Sequence, residues 1–208
     1  MLGGLRLAGL GVMLASLALV FVGGAPARAA SADPEAAQID AFDNGLIETM
    51  KAGKSLGLSG RYKKLEPVVA RAFDIPTMIA FAVGPTWAQI PADQREALTG
   101  AFNRLTVASY AKNFDSFSGE RFVVNPTVVT RGPDKLVQTQ IIAPGQAPVA
   151  INYRMRQSGG SWKVIDVYYN GAISQLTTRR ADFSATLAHG GPAALITHLN
   201  ALVDKQMK

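Results

Sequence analysis

The spacing of apolar residues changes near Gly119 from a helical period to strict alternation. Before that point apolar side chains recur every three or four residues, which places them along one face of a helix. From residue 121 to residue 169 apolar and polar residues alternate, as in strands with one buried face. Helical spacing returns over residues 178–206. The chain is therefore predicted to be α+β, with helices from both ends packed on one sheet.

The first helical part is predicted to cover residues 33–117. Asp33 is placed to cap the first helix, and Asp74 is placed to cap the third. Between the first two helices, residues 51–60 hold three glycines and two serines and predict a loop. Pro67 predicts a kink in the second helix. The longest helix is expected over roughly residues 92–117.

Four strand-like runs follow, separated by short stretches rich in Gly and Pro. Connections this short favour an antiparallel meander, so we expect a four-stranded antiparallel sheet. The predicted strands are Arg121–Thr130, Lys135–Ala143, Pro148–Gln157 and Ser161–Tyr169. Gly190 and Gly191 then divide the last helical part into segments 178–188 and 192–206.

Both faces of the predicted sheet carry large apolar side chains. The third strand has an apolar face formed by Val149, Ile151, Tyr153 and Met155. The fourth strand carries Trp162 and Val164 on one face and Ile165, Val167 and Tyr169 on the other. A half-solvated antiparallel sheet would be polar on one side throughout. Two alternatives remain: a core covered by helices, or a cavity lined by the concave face and by helices around Met78, Phe81, Trp87 and Phe102.

The first 29 residues predict a secretory signal peptide. Arg6 supplies the positive start, residues 7–22 form an apolar run, and Ala27-Arg28-Ala29 fits a cleavage site. Cleavage after Ala29 is preferred to cleavage after Ala32. The alternative is an uncleaved membrane anchor, although the run is shorter than the ~20 residues that span a bilayer comfortably. The remainder, residues 30–208, is predicted to be one domain.

Composition narrows the possible functions. The chain has no cysteine, which removes disulfides, thiol catalysis and Cys-ligated metals. Its formal net charge is +6, or +4 once Arg6 and Arg28 of the predicted signal are removed. The basic residues are scattered rather than arranged in a stripe interleaved with aromatic residues, so nucleic-acid binding is not expected.

Catalytic motifs are missing from the sequence. His189 and His198 have no second ligand at metal-binding spacing, and no phosphate-binding glycine loop or nucleophile elbow occurs. We expect no catalytic residues, no metal site and no cofactor. One enzymatic alternative is an Asp166 carboxyl tuned by apolar neighbours and nearby tyrosines. The structural alternative, which we prefer, is a strand Asp that binds a backbone amide or an arginine.

An ordered set of short motifs resembles a known family. The motifs are FDIPTM (73–78), GPTW (84–87), PADQR (91–95), Ala101-Phe102, YRMR (153–156), GSWKVIDV (160–167) and NGAIS (170–174). Together they resemble the MlaC-type periplasmic lipid-binding proteins, also called the toluene-tolerance family. The resemblance covers about residues 35–205, nearly all of the predicted domain.

The resemblance implies a periplasmic lipid carrier with an NTF2-like curved sheet and an apolar cavity between sheet and helices. Such a carrier exchanges lipid with an inner-membrane transporter complex and an outer-membrane acceptor, and no catalytic residues are associated with the fold. The candidate head-group residues are Arg154 and Arg179. The candidate pocket residues are Met78, Phe81, Val83, Trp87, Phe102, Leu105, Val149, Ile151, Tyr153, Met155, Val167, Tyr169 and Ile173.

One segment departs from the phospholipid carriers of this family. After Ser174 the chain continues QLTTRRADF (175–183), which looks more like the hopanoid-biosynthesis-associated branch called HpnM. The resemblance therefore allows a hopanoid or a phospholipid as cargo. An enzyme acting on an apolar substrate and a non-transporting interaction module remain the alternatives to a carrier.

Overall fold

The computed structural model describes residues 33–208, and the predicted signal peptide lies outside the described residues. None of the helices described is long and apolar enough to cross a membrane. The helices are α1 (Pro34–Lys51), α2 (Gly53–Ala72), α3 (Ile75–Val83), α4 (Ala92–Asn113) and α5 (Gln175–Gln206), with a 3-10 helix at Pro85–Gln89.

Glycine interrupts α2 at one residue instead of forming the predicted loop. The segment 51–60 is almost entirely helical: Ala52 forms a one-residue turn between α1 and α2, and within α2 only Gly57 leaves the helical backbone, with φ 60° and ψ 178°. Glycine adopts this conformation without the steric cost that a Cβ would impose. Pro67 lies inside α2 and the backbone there stays helical, so the kink predicted at Pro67 is wrong. The break in α2 lies at Gly57 instead.

The predicted caps differ in their outcome. Asp33 makes no side-chain hydrogen bond to the first turn of α1, so that prediction is wrong. Asp74 does cap α3, because its Oδ1 accepts a hydrogen bond of 3.0 Å from the Thr77 amide. The last helix begins at Gln175, earlier than predicted, because the Ser174 hydroxyl oxygen accepts from the amide of Thr177. It bends at Gly191, with φ 66° and ψ −165°, where the sequence predicts a division.

The sheet is antiparallel and has six strands rather than the predicted four. The strands are β1 (Arg121–Val124), β2 (Val129–Arg131), β3 (Asp134–Ile142), β4 (Val149–Ser158), β5 (Ser161–Tyr169) and β6 (Ile173–Ser174). The order is β1-β3-β4-β5-β6, with β2 beside β3 on the same edge as β1. The first predicted strand is divided because Pro126 has no amide hydrogen and the Asn125 side chain accepts from the Thr127 amide at 2.9 Å.

A β-bulge in β5 changes which side chains share a face. Arg154 faces Asp166 while Met155 faces Val164, so Ile165 is an extra residue in the ladder. As a result Val164 lies on the same face as Val167. Simple alternation predicts these two residues on opposite faces, and that prediction is wrong.

The helices cover one face of the sheet and form the core with it. On β4 this face presents Tyr153 and Met155, which are 1% and 0% exposed. The opposite face is mainly polar, although Leu136 is buried there. There Asp134 is buried and accepts hydrogen bonds from Arg154 and Arg156, each Nε at 2.6 Å. Burial raises the pKa of Asp134, but the hydrogen bonds from Arg156 and Arg154 outweigh it, so that the net pKa is lowered.

Candidate functional site

A cleft of about 720 Å³ lies between α4, the helix-covered face of the sheet and the first turns of α5, and it is partly open to solvent. Two groups among its lining side chains differ in burial and polarity. The buried ones, here called the inner wall, are Met50, Phe73, Met78, Phe102, Tyr153 and Leu176. The exposed polar and aromatic ones, here called the rim, are Asn113, Asp115, Gln146, Tyr169 and Gln175.

Aromatic rings hold the inner wall in place. Phe73 packs edge-on against Tyr110 with ring centroids 5.6 Å apart. Tyr110 stacks on Phe114 at 5.7 Å, and both line the cleft. Phe42 lies behind them and contacts the rings of Phe73, Tyr110 and Tyr153. This wall presents a rigid apolar surface, because edge-to-face and stacked pairs favour fixed relative orientations.

Among the residues that the structure describes, one cationic side chain lines the cleft. The Arg179 guanidinium lies over the Phe102 ring, 6.0 Å from its centroid. Burial lowers the pKa of Arg179, and Asp182 raises it in part. Among residues 33–208, no carboxylate forms a salt bridge with Arg179. The guanidinium remains charged, so an anionic group in the cleft would gain a partner there.

Eight of the fifteen predicted site residues line this cleft. Val83, Leu105 and Met155 are instead fully packed in the core, and Trp87 packs against it. Ile173 is 53% exposed and does not line the cleft. The residues that do line it are Met78, Phe102, Val149, Ile151, Tyr153, Val167, Tyr169 and Arg179.

Several lining residues were missed by the sequence reasoning. The cleft is lined by Thr106 and Tyr110 of α4 and by Phe114 at its C-terminal cap, and these residues recur every four positions and so share one helix face. That spacing is visible in the sequence, but by itself it does not distinguish a face that lines a cleft from one that packs in the core. Met50 and Ile141 come from α1 and β3 and carry no local signal for a site.

The remaining two predicted residues, Phe81 and Arg154, line a second pocket of about 290 Å³ with Asp166 and Arg180. The Arg154 guanidinium is already paired with Asp134. The Asp166 carboxylate accepts from the Ser174 hydroxyl at 2.6 Å and from the amides of Val167 and Leu176 at 2.8 and 3.3 Å. These bonds fasten the start of α5 to β5, as the structural alternative for Asp166 predicts.

Both histidines lie on α5, and neither is buried. His189 is exposed, and His198 lies 2.9 Å from a carboxylate oxygen of Asp182. Within the described part of the chain, no group of three His, Cys, Asp or Glu side chains is placed to hold a metal ion.

Comparison with known proteins agrees with this architecture. The family model described as MlaC protein matches residues 40–201. A phospholipid-binding protein from Ralstonia solanacearum, solved in complex with a phospholipid, has a similar fold with a TM-score of 0.75. It is 20% identical in sequence, and the alignment covers 85% of this chain and 100% of that one. No curated protein matches the chain significantly.

Proposed function

The chain belongs to the MlaC protein family, and we propose that it is a periplasmic lipid carrier whose cargo lies in the cleft. The observation that carries this proposal is the pairing of an apolar, aromatic inner wall with a polar rim in one open cleft. Ligand pockets of 300–1,000 Å³ lined mainly by apolar side chains are typical of sites for small amphipathic molecules. The predicted signal peptide supports export to the periplasm.

The energetics explain why such a carrier is needed. Burying one methylene group is worth about 0.8 kcal/mol, so a 16-carbon tail exposed to water costs on the order of 12 kcal/mol. If each methylene takes the ~30 Å³ that a water molecule takes in the liquid, the tail fills about 480 Å³. A cleft of about 720 Å³ accepts one such tail with room for part of a second, or one compact ring system.

We assign the head group of the cargo to Arg179 rather than to Arg154. Arg179 lines the cleft, whereas Arg154 lies in the second pocket with its guanidinium bound to Asp134. A phosphate or other anion at Arg179 would complete a charge-assisted pair beside Phe102. The Ralstonia solanacearum relative binds a phospholipid, and the segment 175–183 favours a hopanoid, so we propose cargo from one of these two classes.

Direction of transport requires partners. A carrier that holds lipid as well as a bilayer does has no preferred direction by itself, since a ligand shifts populations only through differential affinity. We propose an inner-membrane transporter complex and an outer-membrane acceptor as those partners.

Mass spectrometry of organic extracts tests the proposal. The exported protein, purified without added lipid, should release a lipid in close to equimolar amount. Val149→Glu puts a charge on the wall of the cleft and should reduce the extracted lipid severalfold, because an apolar cargo would bury that charge without a partner. Val123→Glu is the matched control, since Val123 is 39% exposed on the opposite face of the sheet. Equal lipid content in both variants, or an empty wild-type protein, would contradict the proposal.

A further inference from the structure

The second pocket is lined by two arginines that use only part of their hydrogen-bonding capacity. One of them, Arg154, shares the single carboxylate of Asp134 with Arg156, so this group of three carries one net positive charge. The Arg154 side chain is 39% exposed. The other, Arg180, donates from a terminal nitrogen to the Phe81 carbonyl at 2.6 Å. A guanidinium carries five N–H groups, so both arginines keep donors for a further acceptor.

Contacts around the pocket fix the directions of these arginines. The Arg156 guanidinium lies over the Phe81 ring, 5.5 Å from its centroid, and binds Asp134 through two nitrogens at 2.6 and 3.0 Å. The Arg180 guanidinium packs against Gly84, where a Cβ would lie 3.3 Å from one of its terminal nitrogens. Donors held in this way bind a carboxylate at a lower entropic cost than freely rotating side chains do.

The cations around the pocket continue along one face of the sheet. Arg131 of β2 lies opposite Asp134 in the ladder. Arg156 lies between Asp134 on one neighbouring strand and Lys163 on the other. Residues opposite each other in a ladder share a face, and so do residues two apart in a strand. The set formed by Arg131, Arg154, Arg156, Lys163 and Arg180 is here called the basic surface.

The acids next to the basic surface leave it positively charged. Asp134 and Asp166 are 0% and 6% exposed, and every oxygen of the two carboxylates accepts a hydrogen bond. Asp74 is half-buried and caps α3. These three acids are outnumbered by the five cations, which are exposed or half-buried. An acidic group from outside therefore gains partners here without displacing an internal one.

We propose that the second pocket is a docking site for a Glu or Asp side chain of a protein partner, and that the basic surface binds the acidic segment around that side chain. This inference rests on the proposed carrier function, which requires partners, and it specifies the chemistry of one of them. The pocket, of about 290 Å³, has room for a carboxylate side chain. A protruding side chain enters a pocket and a planar bilayer surface does not, so the geometry favours a protein over an anionic membrane.

A partner at this pocket lies next to the cargo. Leu176 lines both the cleft and the second pocket. One turn further along α5, Arg179 lines the cleft and Arg180 lines the pocket. Docking at Arg180 therefore takes place on the helix turn that carries the proposed head-group residue.

Two glutamate substitutions in the first turn of α5 test the docking site. Thr177 is exposed and lines the pocket, whereas Thr178 is also exposed and does not line it. Thr177→Glu offers an internal carboxylate to Arg154 and Arg180. It also completes a capping box with Ser174, so the start of the helix should be kept. Thr178→Glu adds the same charge to the same turn and is the matched control.

A fluorescent hexaglutamate peptide is the probe, and its affinity for the exported protein is measured by anisotropy. The wild-type protein should bind the peptide, and more weakly as salt is raised toward about 0.15 M. Thr177→Glu should weaken binding about tenfold, the effect of losing one charge-assisted hydrogen-bonded pair. Thr178→Glu should weaken it by less than about threefold, the range of an exposed charge that makes no contact.

The outcomes are distinguishable. No binding of the peptide by the wild-type protein, or equal weakening by the two variants, would overturn the docking site. Binding of phosphatidylglycerol vesicles without binding of the peptide would overturn it in favour of a membrane. Both variants should keep the extracted lipid of the wild type, because neither position lines the cleft. An empty wild-type protein would instead remove the proposed carrier function.

Discussion

Side chains of the same residue type take different roles in this protein. Arg154 and Arg179 are both arginines near the predicted site, but one is paired with Asp134 and the other faces the cleft beside Phe102. Asp166 and Asp43 are both buried acids, but the first has hydrogen-bond donors around it and the second has none among the residues described. In each pair, the two side chains differ in their hydrogen-bond or ion-pair partners, which come from other helices and strands.

The unpaired Asp43 makes stability depend on pH. Its pKa is about 8 in the folded protein against an ordinary value of 3.8. Between these values the folded state holds a proton that the unfolded state has lost, so the unfolding free energy falls as pH rises, by up to ~1.4 kcal/mol per unit. The loss is complete above about pH 8. Urea denaturation of wild-type protein and Asp43→Asn from pH 5 to pH 8 checks this, and parallel stability profiles would contradict it.

At the scale of elements, Arg61 joins two helices. Its side chain is 9% exposed, its Nε donates to the Ala111 carbonyl at 2.8 Å, and a terminal nitrogen donates to the Gly53 carbonyl at 2.9 Å. The end of α4 and the start of α2 are therefore held by one guanidinium, whose charge also suits the negative end of α4. Lys63 and Lys64, its basic neighbours in the sequence, are exposed.

Replacing Arg61 should destabilise this junction. Arg61→Met removes both hydrogen bonds and leaves two carbonyl oxygens without that donor, so we expect a loss of about 2–4 kcal/mol of unfolding free energy. Lys63→Met, at an exposed position of the same helix, should change it by less than about 0.5 kcal/mol. Urea denaturation gives both values. Similar losses for the two variants would show that the hydrogen bonds of Arg61 do not stabilise the junction.

At the scale of the whole molecule, the cleft divides the helix-covered face of the sheet into two parts. Toward Met155 the helices pack fully and form a solid core, whereas toward Val149 and Tyr169 they leave the opening. The core alternative raised by the sheet pattern therefore holds for one part of this face, and the other part lines the open cleft. The solid part supplies a buried core, and the open part presents apolar side chains that a ligand in the cleft would contact.

Lipid should therefore raise the thermal stability of the protein. Binding to the folded state alone at 100 times Kd adds about 2.7 kcal/mol, which for a domain of this size raises Tm by roughly 5–10 °C. Thermal unfolding of delipidated protein with increasing lipid measures the shift, and Val149→Glu should show a smaller one. A Tm that does not depend on lipid concentration would argue against a ligand site in the cleft.

Local sequence determined the type and order of the elements. The change of period near Gly119, the cap at Asp74, the bend at Gly191 and the apolar face of β4 all follow from interactions within a few residues. Such interactions depend on spacing and turn chemistry, which are properties of the sequence itself. The family resemblance was also present in the order of the motifs, and the family match confirms it.

Only the tertiary structure decided how these elements meet. The bulge at Ile165, the place of Tyr110 in the cleft, the junction at Arg61, the isolation of Asp43 and the separation of Arg154 from Arg179 each depend on segments far apart in the chain. Burial and hydrogen bonding are set by those distant partners, because a side chain gains or lacks them only after the helices have packed on the sheet. The sequence therefore predicted a sheet face able to line a cavity, and packing determined which part of that face stays open.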